Sequence, residues 1–241
     1  MADSRIVFAL DVESTARART LAHAVGASVG MLKVGLELFV EAGPAALELG
    51  RDAGLPVFLD LKLHDIPETV ERAVLRAAAL GARWLTVHAA GGAEMLGRAV
   101  GAARSRAGRS LEIVAVTVLT SLDDRDLAAL GVAGAASDQV ERLSHVAWAA
   151  GVRTFVCSPH ETSRLRQMFG EGVTLVTPGV RPAGAAGSDD QKRTMTAAQA
   201  VAAGADWLVV GRPIRDAADP AAAARALHDE AEAAFAARGR R

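Results

Sequence analysis

Val57-Phe58-Leu59-Asp60-Leu61-Lys62-Leu63-His64-Asp65-Ile66-Pro67-Glu68-Thr69 begins as an apolar β run over 57–59 and ends in charges spaced D-x-K-x-x-D. On an extended backbone, side chains two apart share a face, so Asp60 and Lys62 are expected to point one way and Leu61 into the opposite layer. The residue before a proline is biased away from helix, so Ile66-Pro67 turns the chain, leaving Asp65 on a loop and a helix beginning near Thr69. Two carboxylates and an ammonium gathered where a strand ends suggest a reaction site. Solvated loop charges follow many strands, so the motif acquires meaning only from the chain around it.

Outward from this stretch, short β-branched or aromatic runs recur at 6–10, 31–34, 84–87, 113–118, 154–156, 173–176 and 207–210, which with 57–59 makes eight. Ala-, Leu- and Arg-rich helical patterns lie between them, at 15–25, 44–52, 69–80, 95–107, 137–150 and 195–203. Alternating strands and helices predict an α/β protein with a parallel sheet. Eight such units in 241 residues match the size and count of a (β/α)8 barrel. Gly81-Ala82 and Gly204-Ala205 fit helix ends that feed the next strand. With no Gly/Ser linker or low-complexity tract, the expectation is one domain over 1–241, closing in an Ala-rich helix that frays from about 236 to 241.

Composition narrows the class. A formal charge of −1 is too balanced for nucleic acid or an anionic membrane surface as partner. No apolar run approaches the ~18 residues that span a bilayer, and Met1-Ala2-Asp3-Ser4-Arg5 has no signal-peptide pattern, so a cytoplasmic enzyme is expected. The single cysteine, Cys157, allows no internal disulfide and no thiolate metal cluster. A buried, inert thiol is expected there, and core positions for Trp84 and Trp207.

In a barrel of this kind the chemistry sits at the carboxyl ends of the strands. Those ends carry Asp11, Lys33, Asp60 with Lys62, His88, Thr120 with Ser121, Cys157 with Ser158, Arg181, and Gly211 with Arg212. The last two strands each offer a glycine followed closely by an arginine, in Pro178-Gly179-Val180-Arg181 and Gly211-Arg212-Pro213. Glycine lets backbone N–H groups approach an anion and a guanidinium adds a bidentate charged clamp, so a phosphorylated substrate is expected. Between them, 183–193 is small and polar, as a lid would be, with Gln191 able to turn inward.

These segments resemble the orotidine 5′-phosphate decarboxylase family, in its short bacterial form. The likeness runs through Phe8-Ala9-Leu10-Asp11, Lys33-Val34-Gly35, Asp60 to Pro67, Val87-His88-Ala89-Ala90-Gly91-Gly92, Val118-Leu119-Thr120-Ser121, Pro178 to Pro182, Asp190-Gln191-Lys192-Arg193 and Val210-Gly211-Arg212-Pro213-Ile214. The resemblance implies a (β/α)8 barrel converting orotidine 5′-monophosphate to UMP and CO2 without cofactor or metal, the last step of de novo UMP synthesis. It implies that Lys62 protonates C6 within an array of Lys33, Asp60, Lys62 and Asp65, with Asp65 reaching in from the partner of a homodimer. By the same resemblance Asp11 and Lys33 hold the ribose hydroxyls, Thr120 meets the pyrimidine or adjoining sugar, and Arg181, Gln191, Gly211 and Arg212 grip the phosphate. Ile66 and Thr69 belong to the same substrate-binding stretch. Leu63, Glu68 and Ala197 differ from the residues common in the family, an aromatic, Asn and Pro respectively.

Two rival readings stand beside this one. A magnesium-dependent keto-sugar-phosphate decarboxylase or aldolase of the same superfamily reuses D-x-K-x-x-D but needs a further acid near the end of the second strand, where Glu37 lies. A non-catalytic nucleotide-binding barrel would keep the phosphate arginines without the charge array. His64 reads as a structural hydrogen-bonding group, and His88 as a side chain that orients Lys62 or Asp60.

Overall fold

Period-two alternation along the strands sets which residues face the barrel interior. The computed structural model describes residues 4–105, 111–182 and 194–239. In chain order the elements are β1 (Ile6–Ala9), α1 (Thr15–Val25), β2 (Met31–Val34), α2 (Leu36–Ala42), a 3-10 turn (Gly43–Leu47), α3 (Glu48–Ala53), β3 (Val57–Leu63), α4 (Pro67–Leu80) and β4 (Trp84–His88). There follow α5 (Gly92–Arg104), β5 (Glu112–Val116), α6 (Asp124–Ala129), α7 (Ala136–Ala149), β6 (Thr154–Val156), α8 (Pro159–Phe169) and β7 (Thr174–Thr177). The chain ends in α9 (Ala197–Ala202), β8 (Trp207–Val210), α10 (Arg212–Arg215) and α11 (Pro220–Arg238). The strands pair in parallel in sequence order, and β8 returns to β1 through Ile6↔Leu208 and Phe8↔Val210, closing the expected barrel.

Alternation sorts the apolar residues into two cores. Ile6, Phe8, Leu10, Leu32, Val34, Leu59 and Leu85 face outward and pack under the helices. Val7, Met31, Phe58, Trp84, Val114 and Val176 face inward and fill the barrel with Val156, Trp207 and Val209 against them. Trp84 meets Phe58 and Trp207 edge-on, with ring centroids 5.4 and 5.2 Å apart, so both tryptophans belong to the core as expected. This plug has a consequence for the site. The next inward residues along the chain, Lys33 above Met31, Asp60 above Phe58 and Thr86 above Trp84, can only point up toward the carboxyl mouth.

Several boundaries differ from the sequence reading. The helix expected over 44–52 is divided between the 3-10 turn and α3, and a helix not expected, α2, precedes it and stops at Gly43, which takes φ +57 before a proline that has no N–H to continue the ladder. The fifth strand runs Glu112–Val116 rather than over 113–118, which releases Val118 and Thr120 to the mouth. The signal for α8 lay in Ser158-Pro159-His160-Glu161, an N-cap serine, proline at the first helical position and an acid three residues on; the Glu161 carboxylate accepts from Ser158 N at 2.9 Å. At the carboxyl end the helix persists to Arg238 instead of fraying near 236. Arg238 donates to Ala205 O at 2.6 Å and to Asp206 Oδ1 at 3.0 Å, while Arg166 holds the other oxygen of Asp206.

Candidate active site

The third strand leaves its regular pleat where the charges begin. Its register against β4 shifts between Leu59 and Leu63, and Lys62 has φ +51, the one positive value among non-glycine residues described. A left-handed conformation costs a side-chain-bearing residue of order 1 kcal/mol or more, and such strain gathers at functional sites. The extended-strand reading of Asp60 and Lys62 therefore holds in outcome but not in mechanism. The two side chains meet, with Lys62 Nζ 2.9 Å from Asp60 Oδ1, yet a bulged backbone delivers the lysine.

Thr86 on the neighbouring strand holds this bulge. Its fully buried hydroxyl accepts from the Lys62 backbone N at 2.8 Å and donates to Asp60 Oδ1 at 3.0 Å. One hydroxyl thus satisfies an amide that has left the ladder and orients the carboxylate beside it. Thr86→Val keeps the shape and removes both bonds, so a loss of about 1–3 kcal/mol is expected in urea unfolding. Thr86 went unnoticed in the sequence because threonine is an ordinary strand residue; a hydroxyl at an inward position of an otherwise apolar run was the available signal.

From Lys62 the charges alternate in sign around the mouth. Asp60 Oδ2 lies 3.4 Å from Lys33 Nζ, and Lys33 Nζ donates to Asp11 Oδ1 at 3.0 Å. The order is Asp11, Lys33, Asp60, Lys62, with Lys33 and Asp60 buried and Lys62 part-exposed. Burial is the largest influence on Asp60 and would raise its pKa, but Lys33, Lys62 and the Thr86 hydroxyl together hold it below the ordinary carboxylate value. Burial is likewise the largest influence on Lys33 and would lower its pKa; Asp60 and Asp11 outweigh it and hold the ammonium above the ordinary lysine value. Both groups stay ionised across the neutral range. Gly35 makes room for the pair, since a Cβ there would sit 2.9 Å from Asp11 Oδ1 and 3.1 Å from Lys33 Nζ.

These four residues form one side of a cavity of about 490 Å3 at the carboxyl ends of the strands. Thr120 lines it on another side, with an apolar wall of Val116, Val118, Val156 and Val209. Gly179, Arg181, Gly211 and Arg212 also line it. Gly179 has φ +83, and the chain beyond it is pinned by Met195 N donating to Gly179 O at 3.2 Å and Arg181 N donating to Met195 O at 2.9 Å. A cavity that combines an apolar wall, an ammonium–carboxylate array and two guanidinium side chains suits a flat heterocycle bearing an anion.

Other candidates lie elsewhere. Asp65, Ile66 and Thr69 are exposed and do not line this cavity; Asp65 Oδ1 accepts from the Ile66 backbone N at 2.6 Å. Gln191 lies outside the described residues. Glu68 is exposed and pairs with Arg72, away from the array. His64 is exposed with its ring 5.5 Å from that of His88. His88 is held below the ordinary imidazole value by burial, then His64 and Lys62, and the orienting role expected of it falls to Thr86. Cys157 is buried and its pKa pushed up to about 12, chiefly by burial, so it is no nucleophile. Arg215, not foreseen, also lines the cavity.

Among the described residues no cluster of three or more His, Cys, Asp or Glu side chains could hold a metal ion. Glu37, the acid that the magnesium-dependent reading requires, is exposed on α2, and Lys33 is the β2 side chain that lies against Asp60. No helix among the described residues is long and apolar enough to cross a membrane.

Comparison with known proteins identifies the family. The family model described as "Orotidine 5'-phosphate decarboxylase / HUMPS family" matches residues 4–227. Orotidine 5′-phosphate decarboxylase of Anaeromyxobacter sp. (strain K) is 58% identical over 222 residues, covering 92% of this chain and 96% of that protein. That of Thermobifida fusca (strain YX) is 53% identical over 222 residues, covering 92% and 93%. The crystal structure of the Lactobacillus acidophilus enzyme of that name superimposes with a TM-score of 0.83 at 34% identity, covering 95% of this chain and 99% of that one. By matched length and by identity, the chain belongs to the orotidine 5′-phosphate decarboxylase / HUMPS family.

Proposed function

We propose that this chain is a cytoplasmic, cofactor-free decarboxylase that converts orotidine 5′-monophosphate to UMP and CO2, working as a homodimer of single barrels. The observation that carries the reading is the Asp11–Lys33–Asp60–Lys62 series of ion pairs opening on a cavity that Arg181 and Arg212 also line. The pyrimidine lies against the valine wall and Thr120, the ribose hydroxyls meet Asp11 and Lys33, and Arg181, Gln191, Gly211 and Arg212 take the phosphate. The substrate carboxylate then lies beside Asp60. When the bond from C6 to the carboxylate breaks, the electron pair remains on C6, a ring carbon that delocalises it poorly. The Lys62 ammonium stabilises that charge as it develops and transfers its proton to C6, yielding UMP and a neutral lysine that water reprotonates.

Binding energy collected at the phosphate, remote from the bond that breaks, serves to fix the ring against Lys62 and to exclude water, which strengthens each electrostatic interaction inside. The test is the change in ultraviolet absorbance of orotidine 5′-monophosphate with metal-stripped protein in EDTA. Conversion to UMP is expected at an undiminished rate. No conversion by folded protein, or activity restored only by magnesium, would return the site to sugar-phosphate chemistry.

The dimer reading is supported by the chain's own surface. Leu36, Val40 and Ile66 are 55, 81 and 65% exposed on the segments that follow β2 and β3, and Asp65, next to Ile66, lies outside its own cavity. Large apolar side chains exposed together mark association surfaces. A partner seated there would cover them and carry its Asp65 toward the Lys62 of this chain. Sedimentation velocity is expected to show a dimer, and Ile66→Asp a monomer with turnover reduced at least tenfold, about 1.4 kcal/mol; a fully active monomer would refute the arrangement.

A further inference from the structure

Arg215 joins two parts of the site that the sequence keeps 204 residues apart. It closes the single turn of α10, three residues after Arg212, and its Nη1 donates to the backbone carbonyl of Asp11 at 2.8 Å. Its Nε and Nη2 donate to the two oxygens of Asp216 at 2.6 and 2.8 Å. A guanidinium has five N–H donors, and three of Arg215's are committed in this way. With a carboxylate bound in bidentate fashion, much of its charge is already balanced, so it is poorly suited to clamp a second anion directly. What it holds is the turn after β1, at the seam where β1 and β8 close the barrel.

Asp11 lies just past the last paired residues of that seam, so its carbonyl is beyond the reach of the ladder and takes its hydrogen bond from Arg215 instead. The carboxylate of the same residue bonds Lys33, the second member of the charge series. It also abuts the anion-binding turn, since a Cβ on Gly211 would lie 3.8 Å from Asp11 Oδ2. We infer that Arg215 is a positioning residue that fixes the Asp11 carboxylate relative to the Gly211-Arg212 turn, and so sets the spacing at which the site accepts ribose and 5′-phosphate together. The inference rests on the nucleotide reading of the cavity and adds the device by which its sugar and phosphate ends are held in register.

The test is a double-mutant cycle of R215M and D11A, read both as UMP affinity by calorimetry and as kcat/KM for orotidine 5′-monophosphate. Loss of one charge-assisted bond in a positioning contact predicts a roughly tenfold weakening in R215M on both readouts. In the D11A background the same replacement is expected to cost less than about threefold, because the side chain it orients is gone. R215K, which keeps one donor for the carbonyl, is expected to recover most of the loss, and inhibition by inorganic phosphate is expected to be unchanged in R215M. An equal loss in both backgrounds, or weakened phosphate inhibition, would mean that Arg215 touches the ligand directly and would overturn the inference, as would an R215M protein of unaltered affinity. Should R215M not fold, R215Q, shorter but polar, supplies the same cycle. If the parent binds UMP but fails to decarboxylate, the proposed reaction falls while the affinity cycle still decides the role of Arg215.

Discussion

Lys62→Ala is expected to abolish turnover while leaving UMP bound within a few-fold of the parent affinity. The lysine is assigned two tasks, stabilising charge at C6 and delivering the proton, each of which typically contributes ~10²-fold or more, so a combined loss of at least ~10⁴-fold in kcat is expected. The binding half of the expectation follows from the geometry. Arg181, Gly211 and Arg212, proposed to take the phosphate, and the valine wall are lining residues distinct from Lys62. Steady-state kinetics beside calorimetric titration with UMP separates the outcomes: turnover within tenfold of the parent would remove Lys62 from the chemistry, and equal loss of binding and turnover would make it a general determinant of the site.

Asp60→Ala is expected to have the largest effect on stability together with a loss of activity. Asp60 is the shared counter-ion of Lys33, whose side chain is 11% exposed, and of Lys62. Breaking a buried pair by removing one partner costs about 3–5 kcal/mol where the remaining charge is left uncompensated; Lys33 keeps Asp11 at 3.0 Å and Lys62 is part-exposed, so a loss of about 3 kcal/mol is expected. Activity should fall ~10²-fold or more as the ammonium that Asp60 aims drifts from its place. The pH dependence carries its own sign. The folded-state pKa of Asp60 lies below the ordinary 3.8, so its contribution is present above that value and lost as pH falls through the lower folded value. Lys33 is held above its ordinary 10.5, so its contribution is present below that value and lost as pH rises through the higher one. The stability gap between parent and D60A is therefore expected to be flat near neutrality and to narrow on acidification below about pH 3.8. Urea unfolding from pH 3 to 8 measures it; a gap that widens in acid would contradict the ion-pair account.

The sequence made some features legible and hid others for definite reasons. The eight strands could be found because β-branched and aromatic runs are local, and every one expected is present in the barrel. The residues at their ends could be found because a parallel barrel directs chemistry to one rim. The helix start expected at Pro44 coincides with the break at Gly43-Pro44, while α2 was hidden because its seven residues give too short a pattern to show a period. The sequence did not mark Val116, Val118, Val156 and Val209 as cavity-lining, because an apolar wall facing a ligand has the same composition as one facing another strand. Asp65, Ile66 and Thr69 lie beside the array in sequence and outside the cavity in space, because the turn at Ile66-Pro67 carries them over the rim.

Periodicity, turn residues and the spacing D-x-K-x-x-D depend on neighbours along the chain, and from these the sequence by itself determined the barrel, its inward and outward faces and the rim at which Lys33, Asp60 and Lys62 emerge. Which atoms meet at that rim was decided only by closure of the sheet. The left-handed Lys62, the Thr86 hydroxyl that holds it and the Arg215 bond to Asp11 arise from registers between strands and from a seam joining the two ends of the chain. Contacts made across such distances depend on tertiary geometry, because no local pattern encodes which strand, at which register, will supply the partner.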